Sequence, residues 1–449
     1  MNDRWFNRTL NRVWGFIEDR SGMPKWALRP QPGFTFKPSY WTGAFVATAF
    51  FYQVLSGMLL LLYYQPSVSP TLTACGQPAG AYSVAPGAWC STYYIIHSVP
   101  MGQLLLSTHL YGAYAMIFLA FVHFYRGYYL GVYKSPREFS WMVGTLLLLV
   151  TLGMGFTGYL LPYTQISYNA TNVGLVLTLR LPYLGPLAGP LLLGDGTPQS
   201  LLSRFFAAHV LLLPLALGAL LYAHIALFES HGIAPPASSD PTQRRRYTAT
   251  EDKKHVPFMP HILFYITKWG LLYVGVLFGI AALWPWQLPT YVGNLAAVSV
   301  VTEPDWYFLW LFKIVDFIGV TPVIAVGIAT VLIAYFLLLP FLDRTKRTHP
   351  RDRPVFIFVI NSLLGFFILT TVWGGLTPGI QIPTIEIVER IAPIFIVNAV
   401  AVFLFYRRYR IQYQRRLLAA GATDRLAGEY PKSGPVGHPT ATSEASARD

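Results

Sequence analysis

The sequence predicts an all-α integral membrane protein of about eight spanning helices, the first four gathered in a bundle around paired histidines. Three observations carry that prediction. The 449 residues are 54% hydrophobic and 12% charged, whereas soluble domains are nearer a quarter charged. Apolar runs long enough to cross a bilayer, about 20 residues each, recur eight times, at roughly 40–64, 101–126, 139–162, 203–228, 261–285, 320–342, 354–376 and 391–407. Two of these runs carry two histidines apiece at nearly the same spacing. A membrane barrel would instead show short alternating strands.

Residues 1–38 carry seven basic residues and no apolar core ahead of a small-residue cleavage site, so no cleavable signal is expected. Trp5, Phe6, Leu10, Val13, Trp14 and Ile17 fall at roughly helical spacing. They read as an amphipathic helix on the cytoplasmic surface, with an unstructured lead-in as the alternative. The loop between the first two runs has no charged residue and holds both cysteines, Cys75 and Cys90. A disulfide is expected there, because that side is oxidising in bacteria; two free thiols are the alternative. No CxxCH occurs, so no ordinary c-type haem attachment is expected. Residues 39–230 form the expected four-helix part and 231–260 a cytoplasmic linker. Residues 261–410 form a C-terminal helical domain, and 411–449, rich in Gly, Pro, Ser, Thr and Ala, a disordered tail.

The net charge of +13 is a matter of distribution rather than of nucleic-acid binding. With both termini cytoplasmic and eight spans alternating, 29 of the 33 Lys and Arg fall on the cytoplasmic side. Arg180, Arg204, Lys313 and Arg390 remain outside. This bias orients the chain in a bacterial plasma membrane.

An imidazole inside a bilayer is costly unless it faces protein and has a partner, and so marks function. His109 and His123 lie 14 residues apart on the second run; His209 and His224 lie 15 apart on the fourth. At 100° per residue, 14 residues fall about 40° short of four turns and 15 about 60° beyond, so each pair keeps one broad face. Each pair spans roughly 21–22 Å of helix. Both runs cross from outside to inside, which sets His109 with His209 near the outer surface and His123 with His224 near the inner. Two stacked His–His sites suit two six-coordinate haems without an open position, an arrangement for electron transfer. Zinc would leave half a tetrahedron unfilled. Gly43 and Gly57 on the first run, and Gly144 and Gly158 on the third, repeat the 14-residue step. Glycine lets a backbone approach a flat porphyrin closely, though glycine also serves membrane helix packing.

Beyond the histidines and glycines stand "GYLLPYTQISY" (158–168), "TEPDWYFLW" (302–310), "SRFFAAH" (203–209), "PREFSWMVG" (136–144) and "PFLDR" (340–344). Together these resemble the cytochrome b family of the cytochrome bc complexes, over about residues 1–410. The resemblance implies quinol oxidation at an outer site and quinone reduction at an inner one, coupled to proton translocation. It implies a low-potential outer b haem on His109 and His209 and a high-potential inner b haem on His123 and His224. A Rieske iron–sulfur protein, a c-type cytochrome and a homodimeric assembly are implied as partners. The step of 15 is similar to the b6 branch, yet the b6-like and subunit IV-like parts are fused here. Trp41 stands where the b6 branch has the cysteine of an extra covalent haem, so none is expected.

Departures locate the open points. The signature Glu is Asp305, and the Trp of the other motif is Tyr163. The basic residue three before the first ligand is Leu106, leaving outer propionates to Arg204 or other groups. Arg126, three after His123, matches and is a candidate for an inner propionate, with ordinary inside-positive charge as the alternative. Asp305 is the expected acceptor of the quinol proton, since desolvation raises a carboxylate's pKa toward working pH; a helix cap is the alternative. Tyr307 and Tyr163 are candidates to hydrogen-bond the quinol head group, or to pack. Glu229, His231, Asp252 and Lys268 cluster at the inner ends of the fourth and fifth runs and are the expected inner quinone site, or else a solvated face. The Asp and the long histidine step resemble relatives that use menaquinol, so the resemblance implies that quinol. Two rivals stay open: the di-haem anchor of another oxidoreductase, and a transporter whose histidines relay protons.

Overall fold

The computed structural model describes residues 8–9, 11–13, 15–16, 19–20, 30–32, 35, 37–70, 75, 85–180, 184–238, 255–293 and 303–419. In chain order the helices are α1 (Thr42–Leu61), α2 (Gly87–His97), α3 (Gly102–Tyr129), α4 (Glu138–Leu160), α5 (Gln165–Leu179) and α6 (Leu184–Leu193). They continue as α7 (Pro198–His231), α8 (Phe258–Leu283), α9 (Trp306–Val315), α10 (Pro322–Leu342), α11 (Pro354–Leu376) and α12 (Thr384–Ala419). Eight of them, α1, α3, α4, α7, α8, α10, α11 and α12, are long and apolar enough to cross a membrane. These are the eight runs read from the sequence. Residues 239–254, with Asp252, and 420–449 lie outside the described residues; residues 411–419, the start of the segment expected to be disordered, instead continue α12 as helix.

α1 packs on α3, and α4 packs on α7 and touches α3. Their shared core is Ala49, Phe50, Met116 and Leu217, with Val46, Leu147, Val150 and Leu221 against it. Each core residue stands midway between the two functional positions of its helix. Phe50 is seven residues from Gly43 and from Gly57; Met116 is seven from His109 and from His123. The bundle is therefore plugged at mid-height and carries its special residues above and below.

The outer connections are themselves helical, which the hydropathy pattern did not foretell because these pieces are too short to span. The hydroxyl of Thr164 caps α5 in a reciprocal box with Ser167, and Thr197 caps α7 through the Ser200 amide, each meeting an orphan helix-end donor. Cys75 and Cys90 are joined in a disulfide that packs with Trp89 against Leu288 and Tyr291. The Trp89 indole donates to the Pro289 carbonyl at 2.8 Å, pinning the first outer loop to the segment leaving α8.

Among the described residues one strand pair departs from the all-helical pattern. Strand β1 (Pro30–Pro32) pairs antiparallel with β2 (His255–Pro257), Gln31 opposite Val256. Prolines at three of the six positions disfavour helix there and leave the chain extended. Nearby, Asp343 is 2% exposed and accepts from Lys134 at 2.7 Å and from the Tyr133 hydroxyl at 2.6 Å, with Arg353 at 3.5 Å. Arg353 in turn donates to Tyr129 O at 2.5 Å, and Lys134 to Thr345 O at 2.6 Å. Arg137 donates to the carbonyls of His231, Gly232 and Ile233. Burial alone would raise the Asp343 carboxyl; the hydrogen bonds from Lys134, Thr345 and Tyr133 outweigh it and hold the group below its ordinary value. This network locks the α3–α4 turn to the α10–α11 turn.

Candidate functional site

The rings of His109 on α3 and His209 on α7 face each other, centroids 6.3 Å apart and planes at 78°. Two metal–imidazole bonds of about 2 Å, with each centroid about 1 Å behind its nitrogen, give about 6 Å. One level further in, His123 lies within electrostatic reach of His224 and Arg126. All four rings are half-buried.

The unequal steps of 14 and 15 are reconciled inside α7. Residues Ala208–Leu212, with His209 among them, form a π-helical turn. Such a turn takes in one extra residue relative to α-helix and is frequent at functional sites. His209 and His224 are thereby returned to the alignment of the 14-residue pair.

Each glycine of the repeated step faces one histidine. A Cβ built on Gly57 would lie 3.3 Å from His109 Cε1, on Gly43 3.1 Å from His123 Cε1, on Gly144 3.2 Å from His224 Cε1, and on Gly158 2.5 Å from His209 Cε1. These spacings are tight to forbidden for a real side chain, so the glycines set how deep each imidazole sits.

Sequence reasoning missed the residues beside those glycines. Ser56 Oγ lies 2.8 Å from His109 Nδ1, Thr42 Oγ1 2.8 Å from His123 Nδ1, and Thr157 Oγ1 3.3 Å from His209 Nδ1. Ser56 also donates to the Tyr52 carbonyl at 2.8 Å, so it accepts from His109 Nδ1–H. Met154 O, an obligate acceptor, lies 3.0 Å from His209 Nδ1. Both outer rings are thus fixed with the proton on Nδ1 and the Nε2 lone pair free for a metal, as outer-shell partners of ligating histidines do. Val143 stands before Gly144, and His224 Nδ1 faces the Ser140 carbonyl without reaching hydrogen-bond geometry. The legible signal was a hydroxyl residue directly before three of the four glycines.

These residues fit a haem. Among the described residues no three of His, Cys, Asp or Glu converge, so a metal here needs most of its ligands from elsewhere, as a porphyrin supplies. The Arg126 guanidinium stacks 4.7 Å over Tyr40, and its Nε is buried without a partner, suited to an anionic group at the inner level. Arg204 is engaged elsewhere, donating to Leu191 O and Ser200 Oγ and so tying α6 to α7.

Asp305 opens α9 on the outer side. Its Oδ1 accepts from Tyr114 at 2.5 Å and its Oδ2 from Tyr307 at 2.9 Å. Burial raises the Asp305 carboxyl above its ordinary value, against those two hydrogen bonds, which lower it. Tyr307 is 2% exposed, and its hydroxyl lies against Gly155, where a Cβ would sit 2.6 Å from the oxygen. Pro304 lines a neighbouring cavity of about 190 Å³ with Val173, Leu309 and Lys313. The structure thus brings Asp305 and Tyr307 together. Tyr163, left-handed at φ 50°, packs instead with Leu160, Leu175, Leu202 and Phe205.

At the inner end, His231 Nδ1 bonds back to Leu227 O at 2.8 Å. Lys268 is exposed and lies over the rings of Tyr265 and Trp269 at 5.7 and 5.3 Å. Glu229 is exposed at the end of α7.

Comparison with known proteins bears on both halves. Residues 114–290 match the family described as cytochrome b (N-terminal)/b6/petB, and 293–396 that described as cytochrome b (C-terminal)/b6/petD. A cytochrome b of Sulfolobus acidocaldarius is 33% identical over 87% of this chain and 70% of its own length. The menaquinol:cytochrome c reductase cytochrome b subunit of Geobacillus thermodenitrificans is 36% identical over 51% of this chain and 99% of its own. A solved structure, a hyperthermophilic respiratory Complex III, matches 90% of this chain and 96% of its own at 25% identity, with a TM-score of 0.64. The chain therefore belongs to the cytochrome b family, with the N-terminal and C-terminal parts of that family joined in one multi-pass membrane polypeptide.

Proposed function

We propose that the chain is the di-haem cytochrome b subunit of a bc-type complex that oxidises menaquinol outside, reduces quinone inside and translocates protons. The observation that carries this is the facing His109–His209 pair at 6.3 Å, with the His123–His224 pair below it on the same two helices. Relatives named menaquinol:cytochrome c reductase subunits, in Geobacillus thermodenitrificans and Bacillus subtilis, support the substrate. The four histidines would hold two b haems, low-potential outside and high-potential inside; when bound, these supply one-electron transfer across the membrane. Asp305 takes a proton from the quinol hydroxyl, and Tyr307 orients the carboxylate by donating to its Oδ2. His231, Glu229 and Lys268, with Asp252, supply protons to the inner quinone. Arg137 fixes the backbone that follows His231. The chain offers no cluster ligands among its described residues, so a Rieske protein and a c-type cytochrome complete the route. Homodimerisation and cytoplasmic termini belong to the same reading.

Pyridine haemochrome quantification with a redox-titrated difference spectrum tests it. Two b haems per chain titrating at separate potentials are expected. One haem or none would overturn the four-histidine assignment.

A further inference from the structure

The Asp305 carboxylate has two phenol partners of different kinds. Tyr307 sits two residues along the same segment and moves with it. Tyr114 comes from α3, the helix that carries His109, five residues or about 7.5 Å of rise further in. Its hydroxyl meets Oδ1 at 2.5 Å across 191 residues of sequence. The Tyr114 ring stands against Tyr307, centroids 6.3 Å apart, and against Tyr111 at 6.4 Å. Tyr111 is in turn held by its hydroxyl on Trp284 O at 2.8 Å, and the neighbouring Tyr159 by Glu303 O at 2.8 Å. Tyr111 and Tyr159 are thus anchored to backbone carbonyls, and Tyr114 and Tyr307 to the carboxylate itself.

We propose that Tyr114 is the positioning residue of the outer quinol site, holding the short carboxylate of Asp305 to the bundle through its hydroxyl and so aiming it at the incoming quinol. It rests on the reading of Asp305 as proton acceptor. An aspartate reaches one methylene less than a glutamate, so an anchor must come to it, and the long tyrosine on a rigid helix does so. A carboxylate offers about four lone-pair positions. The two phenols occupy two of them, leaving positions free for the quinol hydroxyl. Tyr114 keeps its own proton throughout; the quinol O–H breaks and the new O–H forms on Asp305. A donor to the charged form favours that form, so Tyr114 opposes the upward pull of burial.

The test is Tyr114→Phe in the intact, membrane-embedded complex, which removes the hydroxyl and retains the ring. Loss of a hydrogen bond to a charged group should move the acid limb of quinol oxidation to higher pH by roughly one to two units. Haem content should stay at the parent's, while turnover at neutral pH falls with the displaced limb. The infrared C=O band of protonated Asp305 should also shift. An unmoved limb with an unmoved band overturns the role of Tyr114 while leaving Asp305 as acceptor. Unchanged turnover in Asp305→Asn overturns both.

Discussion

Gly158 and His209 approach so closely that one methyl group on the glycine would stand 2.5 Å from the imidazole Cε1. The π-helical turn of α7 presents the ring at that depth, and nothing but a hydrogen atom fits behind it. Gly158→Ala should therefore displace His209 and release the outer haem, read as loss of the low-potential component in a redox titration. Gly43→Ala, facing His123 at 3.1 Å, should be milder and confined to the inner component. Equal retention of both haems in the two variants would contradict the glycine–histidine pairing.

Ser56 sets the electron richness of His109. By accepting from Nδ1–H it raises the basicity of the ligating nitrogen, which favours the ferric state. Ser56→Ala should shift the outer haem's midpoint upward, by up to about 60 mV if the preference weakens tenfold. A downward shift, measured by the same titration, would reverse the assigned proton direction.

Asp305→Asn should retain both haems and lower quinol oxidation by about 10²- to 10⁴-fold, the usual contribution of a positioned proton acceptor. In the parent, burial raises the Asp305 carboxyl, and the acceptor works only when ionised. Activity should thus fall, as pH is lowered, above the ordinary aspartate value of about 3.9. Stopped-flow reduction of the haems across pH measures it.

Asp343→Asn removes the carboxylate that Lys134 and Arg353, both buried, share. Breaking a buried ion pair in this way is destabilising by about 3–5 kcal/mol. Thermal unfolding of the detergent-solubilised protein should drop accordingly. An unaltered midpoint would mean that the network is relaxed by water.

What could be read from the chain alone followed from rules that act locally. Lipid thickness fixes the length of apolar runs, so α1 to α12 yielded their eight spanning members directly. Helix pitch fixes which residues share a face, so His109, His123 and the four glycines stood out by spacing. The 15-residue step could only be noted, because a constant 100° per residue has no place for the π turn at Ala208–Leu212. Thr42, Ser56 and Thr157 were visible beside their glycines, but their purpose depends on rings contributed by other helices. Tyr114 was illegible for the same reason: on α3 it is one aromatic among many, and its partner lies 191 residues downstream.

The inner ion network changes the meaning of the fused chain. Lys134 and Tyr133 come from the half matched by the N-terminal family profile, Asp343 and Arg353 from the half matched by the C-terminal one. The Trp141 indole adds a second fastening between the halves, donating to the Phe336 carbonyl at 2.6 Å. The Geobacillus subunit matches 51% of this chain over 99% of its own length, and here the adhesion between halves is already non-covalent. Joining them in one reading frame therefore governs supply rather than grip: each pass of a ribosome delivers both halves in equal number, side by side, to the same patch of bilayer.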